Sequence, residues 1–208
     1  MEYFKSIKRK KCKLWIIFIV VGLLLIIFST SFFVVKEKRR RQINDIEKKK
    51  IDKFFDKKSE NSNYIDNKQD SDEYIAVLEI PSINLKKGIV SISSNKNNVN
   101  KNVYMLKETI LPNDNNTSHI ILASHSGNSS ISFFKDLHKV RKKDVIYFYY
   151  NNYKYVYKVY DIYEVKKTGN IFLNSSNDSD ITLITCKGNL KIQIVVKGIL
   201  IDSIFQIR

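Results

Sequence analysis

The chain has 208 residues, a formal net charge of +15 and a hydrophobic content of 43%. This length indicates one main domain with an appendage, and the apolar content excludes a wholly disordered chain. Two cysteines, Cys12 and Cys186, are too few for a disulfide scaffold or a four-ligand zinc site.

The first predicted element is a membrane-spanning helix at residues 14–35, which contain no charged side chain. A helix of that length covers about 33 Å, and the hydrocarbon core of a bilayer is about 30 Å thick. Hydroxyl groups at residues 29–31 fit such a helix because they can bond to carbonyls of the previous turn. A cleaved signal peptide is the rival interpretation, but no Ala-x-Ala site exists and bulky Phe32 and Phe33 occupy the exit. We therefore favour an uncleaved signal-anchor.

The orientation of this helix is weakly marked by charge. Residues 1–13 contain six Lys or Arg, and residues 36–41 contain five. These numbers barely separate the two orientations under the positive-inside rule. Because residues 1–13 are too short to form a domain, we expect a basic cytoplasmic tail and an extracellular globular part.

Residues 36–74 are charged and polar, and we interpret them as a linker. Residues 37–55 have a thin apolar stripe at helical spacing, whereas residues 59–74 have no periodicity. The positive charge is spread, with +7 on residues 1–74 and +8 on the remainder. This spread, together with the lack of helix-turn-helix or zinc-finger spacing, argues against nucleic acid as a partner. A basic surface that faces an anionic membrane or cell wall is the favoured interpretation.

From residue 75 onward, short β-branched and aromatic runs predict strands. Asn151 and Asn152 predict a tight hairpin turn, because asparagine tolerates the left-handed conformation. Residues 131–140 are the one segment of this part with helical spacing. Eight strands in about 135 residues indicate an all-β fold, either a closed or nearly closed barrel or a sandwich. The strands are predicted at 75–80, 85–90, 103–107, 119–125, 145–151, 153–167, 181–186 and 192–201.

Two chemically competent side chains lie at the ends of predicted strands. Cys186 ends one apolar strand, and His125 ends another. A thiol–imidazole pair can attack a carbonyl carbon and then protonate the leaving amine. The alternative for Cys186 is a small buried hydrophobic residue, which is a common setting for a free cysteine.

The remaining candidate ligands do not indicate a metal site, and we expect no cofactor. His119 begins the strand that His125 ends, about 20 Å away at about 3.3 Å per residue. His138 lies on the predicted helix and is interpreted as a surface residue. A calcium site built from four carboxylates ranks below a solvated acidic loop. Those carboxylates are Glu108, Asp114, Asp178 and Asp180.

Four segments within residues 75–208 resemble the sortase transpeptidases of Gram-positive bacteria, in their order and spacing. The strand TLITC at 182–186 is the most specific, and ILASHSGNS at 121–129 is the next. LEIPSINL at 78–85 and FFKDLHKVRKKD at 133–144 complete the set. A membrane anchor before an extracellular domain also fits this family.

The resemblance implies a closed eight-stranded β-barrel with one or two short helices and a cysteine transpeptidase activity, which includes peptide-bond hydrolysis. Cys186 would be the nucleophile that cleaves a Leu-Pro-x-Thr-Gly-like sorting signal of a secreted protein. His125 would be the general acid. An amine of a peptidoglycan precursor, or a pilin lysine, would then take the acyl group. Thr185 would line the site and offer a hydrogen bond near the developing oxyanion.

The chain departs from the family where sortases carry an arginine, on the strand after the cysteine. Gln193 occupies the aligned position, and Lys191 lies two residues earlier, on the same side by strand periodicity. Glutamine donates neutral hydrogen bonds, and lysine offers a point charge without a planar fork. Three alternatives stay open: Lys191 substitutes for the arginine, Gln193 suffices, or the chain is a weak or inactive surface-binding relative. We favour retained activity.

Loop length narrows the class within the family. Residues 168–180 leave no room for the extra helix of class B sortases. No long N-terminal lid rich in Asp and aromatic residues is found, which argues against the pilin-polymerising class.

Overall fold

A computed structural model of the chain describes residues 2–60, 73–113, 117–127, 129–168, 171, 178–188 and 191–206. The chain divides into two compact units, Met1–Ile46 and Glu47–Arg208. One long helix, α1 (Glu2–Glu60), begins in the first unit and ends in the second. The described strands all belong to the second unit.

The first unit contains a helical segment that is long and apolar enough to cross a membrane. Its large side chains are exposed, as Phe28 shows with an exposed fraction of 74%. The hydroxyl of Thr30 donates to the carbonyls of Ile26 and Ile27, both at 3.0 Å. The polar group is therefore satisfied within the helix, as expected from the sequence, and the segment is compatible with a single-pass anchor.

The helix predicted at residues 37–55 is confirmed, and its last turns pack against the strands of the second unit. Ile51 and Phe54 are 5% and 6% exposed and contact Val77, which is fully buried. Residues 47–56 were interpreted as part of a linker. They instead supply packed side chains, because their apolar stripe covers one outer face of the sheet.

Eight strands are found among the described residues, and each corresponds to a predicted one. They are β1 (Tyr74–Ile80), β2 (Leu85–Val90), β3 (Tyr104–Met105), β4 (His119–Ala123), β5 (Val145–Tyr150), β6 (Tyr153–Lys166), β7 (Asp180–Cys186) and β8 (Ile192–Phe205). They form one sheet in the order β2-β1-β5-β6-β8-β7-β4-β3. The sheet curls into a nearly closed barrel with β2 and β3 at its edges. β4 and β7 run parallel to each other, and this pair carries the candidate site.

The interior of the barrel is filled by alternate side chains of the strands, as the period of two requires. Leu78, Leu122, Phe148 and Tyr157 are fully buried within it. Burial raises the pKa of the Tyr157 phenol, because the apolar interior disfavours the phenolate.

The predicted hairpin at Asn151 and Asn152 is confirmed, with φ angles of 47° and 63°. The helix predicted at residues 131–140 is wrong apart from one 3-10 turn at Leu137–Lys139. The segment is otherwise irregular, although its apolar Phe134 is fully buried. The N–H of Phe134 donates to the carbonyl of His125 at 3.2 Å and not to a carbonyl of its own turn.

Candidate active site

Cys186 is the last residue of β7, and His125 follows β4, the strand that runs parallel to β7. Ala123 of β4 is the register partner of Ile184 of β7. The N–H of Ser124 continues the pairing by donating to the carbonyl of Ile184 at 3.1 Å. Cys186, the last residue of β7, and His125, two residues after the end of β4, each lie two positions beyond that register pair. Because paired strands lie about 4.8 Å apart, the register places the two predicted residues at the same end of two neighbouring strands.

Cys186 is half-buried and has a free thiol. It ends a strand whose preceding residues, Asp180 to Thr185, are all buried. The first side chain of this strand to reach the surface is therefore the thiol. A partly exposed thiol fits a reactive role better than that of a buried hydrophobic residue.

Thr185 ties the two strand ends together. Its hydroxyl donates to the carbonyl of Ser124 at 2.8 Å, and the residue is 3% exposed. A hydroxyl carries one hydrogen, so this bond uses it. The structure thus differs from the expectation that Thr185 donates near an oxyanion. The reason is strand alternation, which turns Thr185 away from the face of its neighbour Cys186.

The imidazole of His125 is oriented by a residue that sequence reasoning missed. Its Nε2 lies 2.8 Å from Oδ1 of Asn100. Because a carboxamide oxygen only accepts, Nε2 carries the hydrogen and Nδ1 is the nitrogen left for proton exchange. Asn100 is one of five asparagines in residues 91–102. Their spacing gives no signal that would separate Asn100 from the others.

The loop that carries Asn100 is held in place by its own asparagines. The carboxamide of Asn97 bonds both backbone groups of Met105, at 2.8 and 2.9 Å. The carboxamide oxygen of Asn98 accepts the N–H of Asn100 at 2.8 Å. These contacts fix the loop next to β3, and β3 pairs with the strand that leads to His125.

Gln193 and Lys191 have different positions relative to the thiol. Gln193 is the register partner of Cys186 in the antiparallel pairing of β7 with β8. Directly opposite residues share a face, with Cβ atoms about 4.5–5.5 Å apart. Lys191 precedes β8 and is exposed, and its carbonyl accepts the N–H of Lys167 at 2.8 Å. Of the two candidates, Gln193 is the one that the register places beside Cys186.

The other predicted residues lie away from this site. Nδ1 of His119 lies 3.1 Å from Oδ1 of Asp180, at the opposite ends of β4 and β7 from the thiol. Asp180 is therefore engaged by His119, while Asp114 lies outside the described residues. His138 is exposed, with Nδ1 at 3.0 Å from the carbonyl of Lys135. In the part of the chain that the structure describes, no three metal-ligating side chains cluster.

The sequence matches one known protein family and one characterised relative. The family model described as Sortase domain matches residues 78–200. Sortase A of Bacillus anthracis is 28% identical over 137 residues, which cover 64% of this chain and 63% of that relative. The chain thus spans less than two thirds of the length of this relative.

Solved structures with the same barrel are also found. Sortase C-1 from Actinomyces oris has a TM-score of 0.57 and 29% identity, and the match covers 64% of this chain and 76% of that one. The Group B Streptococcus Pilus Island 1 sortase C2 has a TM-score of 0.56 and 29% identity, with coverage of 63% and 76%. Relatives named sortase A and sortase C both match, so these likenesses do not assign a class.

Proposed function

Because the chain belongs to the sortase family of cell-wall sorting transpeptidases, we propose that it cleaves a Leu-Pro-x-Thr-Gly-like signal and transfers the cleaved protein to an amine. The substrate is a secreted surface protein, and the acceptor is an amine of a peptidoglycan precursor. The proposal is supported by the register of β4 with β7, which puts Cys186 at the end of β7 and His125 two residues after the end of β4, at the same edge of the barrel.

The first half of the reaction forms an acyl-enzyme. Nδ1 of His125 takes the thiol proton of Cys186, and the resulting thiolate attacks the carbonyl carbon of the scissile peptide bond while the carbonyl electrons move to oxygen. When the oxyanion collapses, the carbon–nitrogen bond breaks. His125 gives its proton to the leaving amine through Nδ1, while Nε2 stays bonded to Asn100. The product is a thioester on Cys186 and a neutral His125.

The second half transfers the acyl group. The acceptor amine attacks the thioester carbonyl, and His125 takes the proton that the new amide nitrogen loses. The carbon–sulfur bond breaks, and the thiolate is restored. Gln193, opposite Cys186, supplies a neutral N–H donor to the oxyanion in both halves. A positioned neutral donor of this kind contributes about 10²–10³ in turnover in a serine protease.

We also place the protein in the membrane. Residues 1–13 form the cytoplasmic tail, residues 14–35 the anchor, and residues 36–74 the connection to a catalytic domain at 75–208. The packed residues 47–56 of α1 are part of that connection. The exposed apolar helix supports the anchor, and an outside domain meets secreted substrates where they emerge.

The test uses the full chain in detergent micelles with a library of internally quenched sorting-signal peptides and a short amine acceptor. We expect cleavage and transfer that Cys186→Ala and His125→Ala abolish. His138→Ala is the matched control, because its imidazole is exposed and outside the site. Unchanged cleavage by the Cys186→Ala variant would contradict the mechanism.

A second candidate function is supported by the neutral residue at the arginine position. In that case the chain is a weak or inactive relative that binds a surface peptide or wall polymer without cleaving it. The same library separates the two, because the binder retains a peptide without releasing a fragment. Retention that persists in Cys186→Ala, without turnover by the unmodified protein, selects this candidate.

A further inference from the structure

The carboxylate of Glu47, in the part of α1 that belongs to the second unit, collects three donors from the barrel. The hydroxyl of Tyr74 donates to Oε2 at 2.6 Å, and the N–H of Gly88 donates to Oε1 at 3.1 Å. The ammonium of Lys87 lies 2.7 Å from Oε2. The side chains of Glu47 and Lys87 are 19% and 11% exposed, so water screens the pair weakly. Hydrogen bonds that involve such charged groups are the strong ones.

The residues that bind this carboxylate belong to β1 and β2. Gly88 has no side chain, and a Cβ at this position would collide with the ring of Tyr74. Glycine therefore lets the Tyr74 ring lie across the strand and bring its hydroxyl to Glu47. Burial and the contact with Glu47 raise the pKa of Tyr74, so the phenol remains a donor.

Lys87 connects the residues that bind Glu47 to the segment that follows His125. Its ammonium lies 4.4 Å from the centroid of the Phe133 ring, within the range of a cation–π attraction. The next residue, Phe134, is fully buried and donates its N–H to the carbonyl of His125 at 3.2 Å. Burial lowers the pKa of Lys87, and the charge of Glu47 opposes that shift. Without Glu47, the ammonium would be a buried charge without its ion-pair partner.

We propose that Glu47 is a positioning residue for His125. It holds the Lys87 ammonium against Phe133 and thereby fixes the segment that is bonded to the backbone of His125. The role of this histidine in turnover rests on the function proposed above. A displacement of about 1 Å at a catalytic group can cost about 10²-fold in rate, so a loosened segment lowers kcat.

The first test follows the imidazole itself and needs no activity. The full chain is labelled at histidine Cε1, and its NMR signals are recorded in micelles for the unmodified protein, Glu47→Gln and Glu79→Gln. Glu79 is a matched control: it accepts from Tyr149 at 3.1 Å and pairs with Lys86 at 3.5 Å on the same sheet. The signals of His119 and His138 serve as internal references. We expect the His125 signal to move or broaden only in Glu47→Gln. A His125 signal that is identical in all three folded proteins would overturn the proposal.

The second test measures cleavage of the sorting-signal peptide. We expect Glu47→Gln to lower kcat about tenfold with KM unchanged, and Glu79→Gln to leave both unchanged. Lys87→Met keeps the stem over Phe133 but removes the charge, and it replaces Glu47→Gln if that variant does not fold. The double variant, Glu47→Gln with Lys87→Met, should lose no more kcat than the more impaired single variant, because both changes break the same chain of contacts. Equal losses in the Glu47 and Glu79 variants would contradict the inference. If the unmodified protein cleaves nothing, the proposed function fails, and the NMR signals still decide the role of Glu47.

Discussion

Gln193 lies directly opposite Cys186 in the antiparallel pairing of β7 with β8. The two side chains therefore share one face of the sheet, and the carboxamide is the polar group that the register places beside the thiol. Sortases carry an arginine at the aligned position, so this chain replaces a charged fork with a neutral donor. In the proposed mechanism, oxyanion stabilisation therefore depends on hydrogen bonding without a full charge.

The first prediction concerns that donor. Gln193→Ala should lower kcat by about 10²-fold, because one oxyanion donor is lost. Lys191→Ala is the control, since Lys191 is exposed and precedes β8. Steady-state cleavage of the sorting-signal peptide measures both. A larger loss in Lys191→Ala than in Gln193→Ala would assign the arginine's role to the lysine.

The second prediction concerns the orientation of His125. Asn100→Ala removes the acceptor of the Nε2 hydrogen, so the imidazole loses its fixed tautomer and rotamer. We expect kcat/KM to fall at least about tenfold, since general acid–base catalysis contributes about 10²–10⁴-fold. Asn95→Ala is the control, because that side chain is exposed in the same loop. Equal activities of the two variants would remove Asn100 from the account.

The third prediction concerns the bond between the strand ends. Thr185→Val keeps the side-chain shape but leaves the buried carbonyl of Ser124 without its donor. The free energy of unfolding should fall by about 1–3 kcal/mol. Thr185→Ser keeps the hydroxyl and should lose less. Urea unfolding of the full chain, followed by near-ultraviolet circular dichroism, measures the difference, and a Val variant as stable as the Ser variant would count against the bond.

The fourth prediction concerns alkaline stability. Burial raises the folded-state pKa of Tyr157 above its ordinary value of 10.0. The unfolded chain therefore releases this proton first. The contribution of the Tyr157 phenol to the free energy of unfolding is fully present below about pH 10 and falls as the pH rises further. Tyr157→Phe should make that fall shallower by up to about 1.4 kcal/mol per pH unit. Tyr160→Phe is the control, because Tyr160 lies on the same strand and is 45% exposed. Urea unfolding at several alkaline pH values tests the slope, and parallel slopes for the two variants would contradict the assignment.

The positions of the strands follow from sequence patterns that reflect local conformational preference. Alternating β-branched and aromatic residues specify strands, and each of the eight was found. The spacing in residues 131–140 was misleading, because Phe134 is buried outside any helix and Leu137 is buried from a single 3-10 turn. Apolar spacing indicates which side chains are buried, but it does not determine the backbone conformation that buries them.

The contacts that orient the site depend on tertiary structure and have no local signal. Asn100 is one asparagine among several until the loop brings it to His125. The apolar stripe indicated a helix at residues 37–55, but the partners of Glu47 come from two strands farther along the chain. Thr185 was assigned from the resemblance, and its hydroxyl turns to Ser124 because adjacent strand residues face opposite sides.

Whether Cys186 forms an acyl-enzyme can be decided from the intact mass of the full chain after incubation with sorting-signal peptides in micelles. We expect a thioester adduct of the acyl fragment on Cys186 that is absent in Cys186→Ala and released by an amine acceptor. Alkylation of Cys186 in the folded protein provides the parallel check that the thiol is reachable. A folded protein in which Cys186 neither forms an adduct nor alkylates would contradict the transpeptidase account.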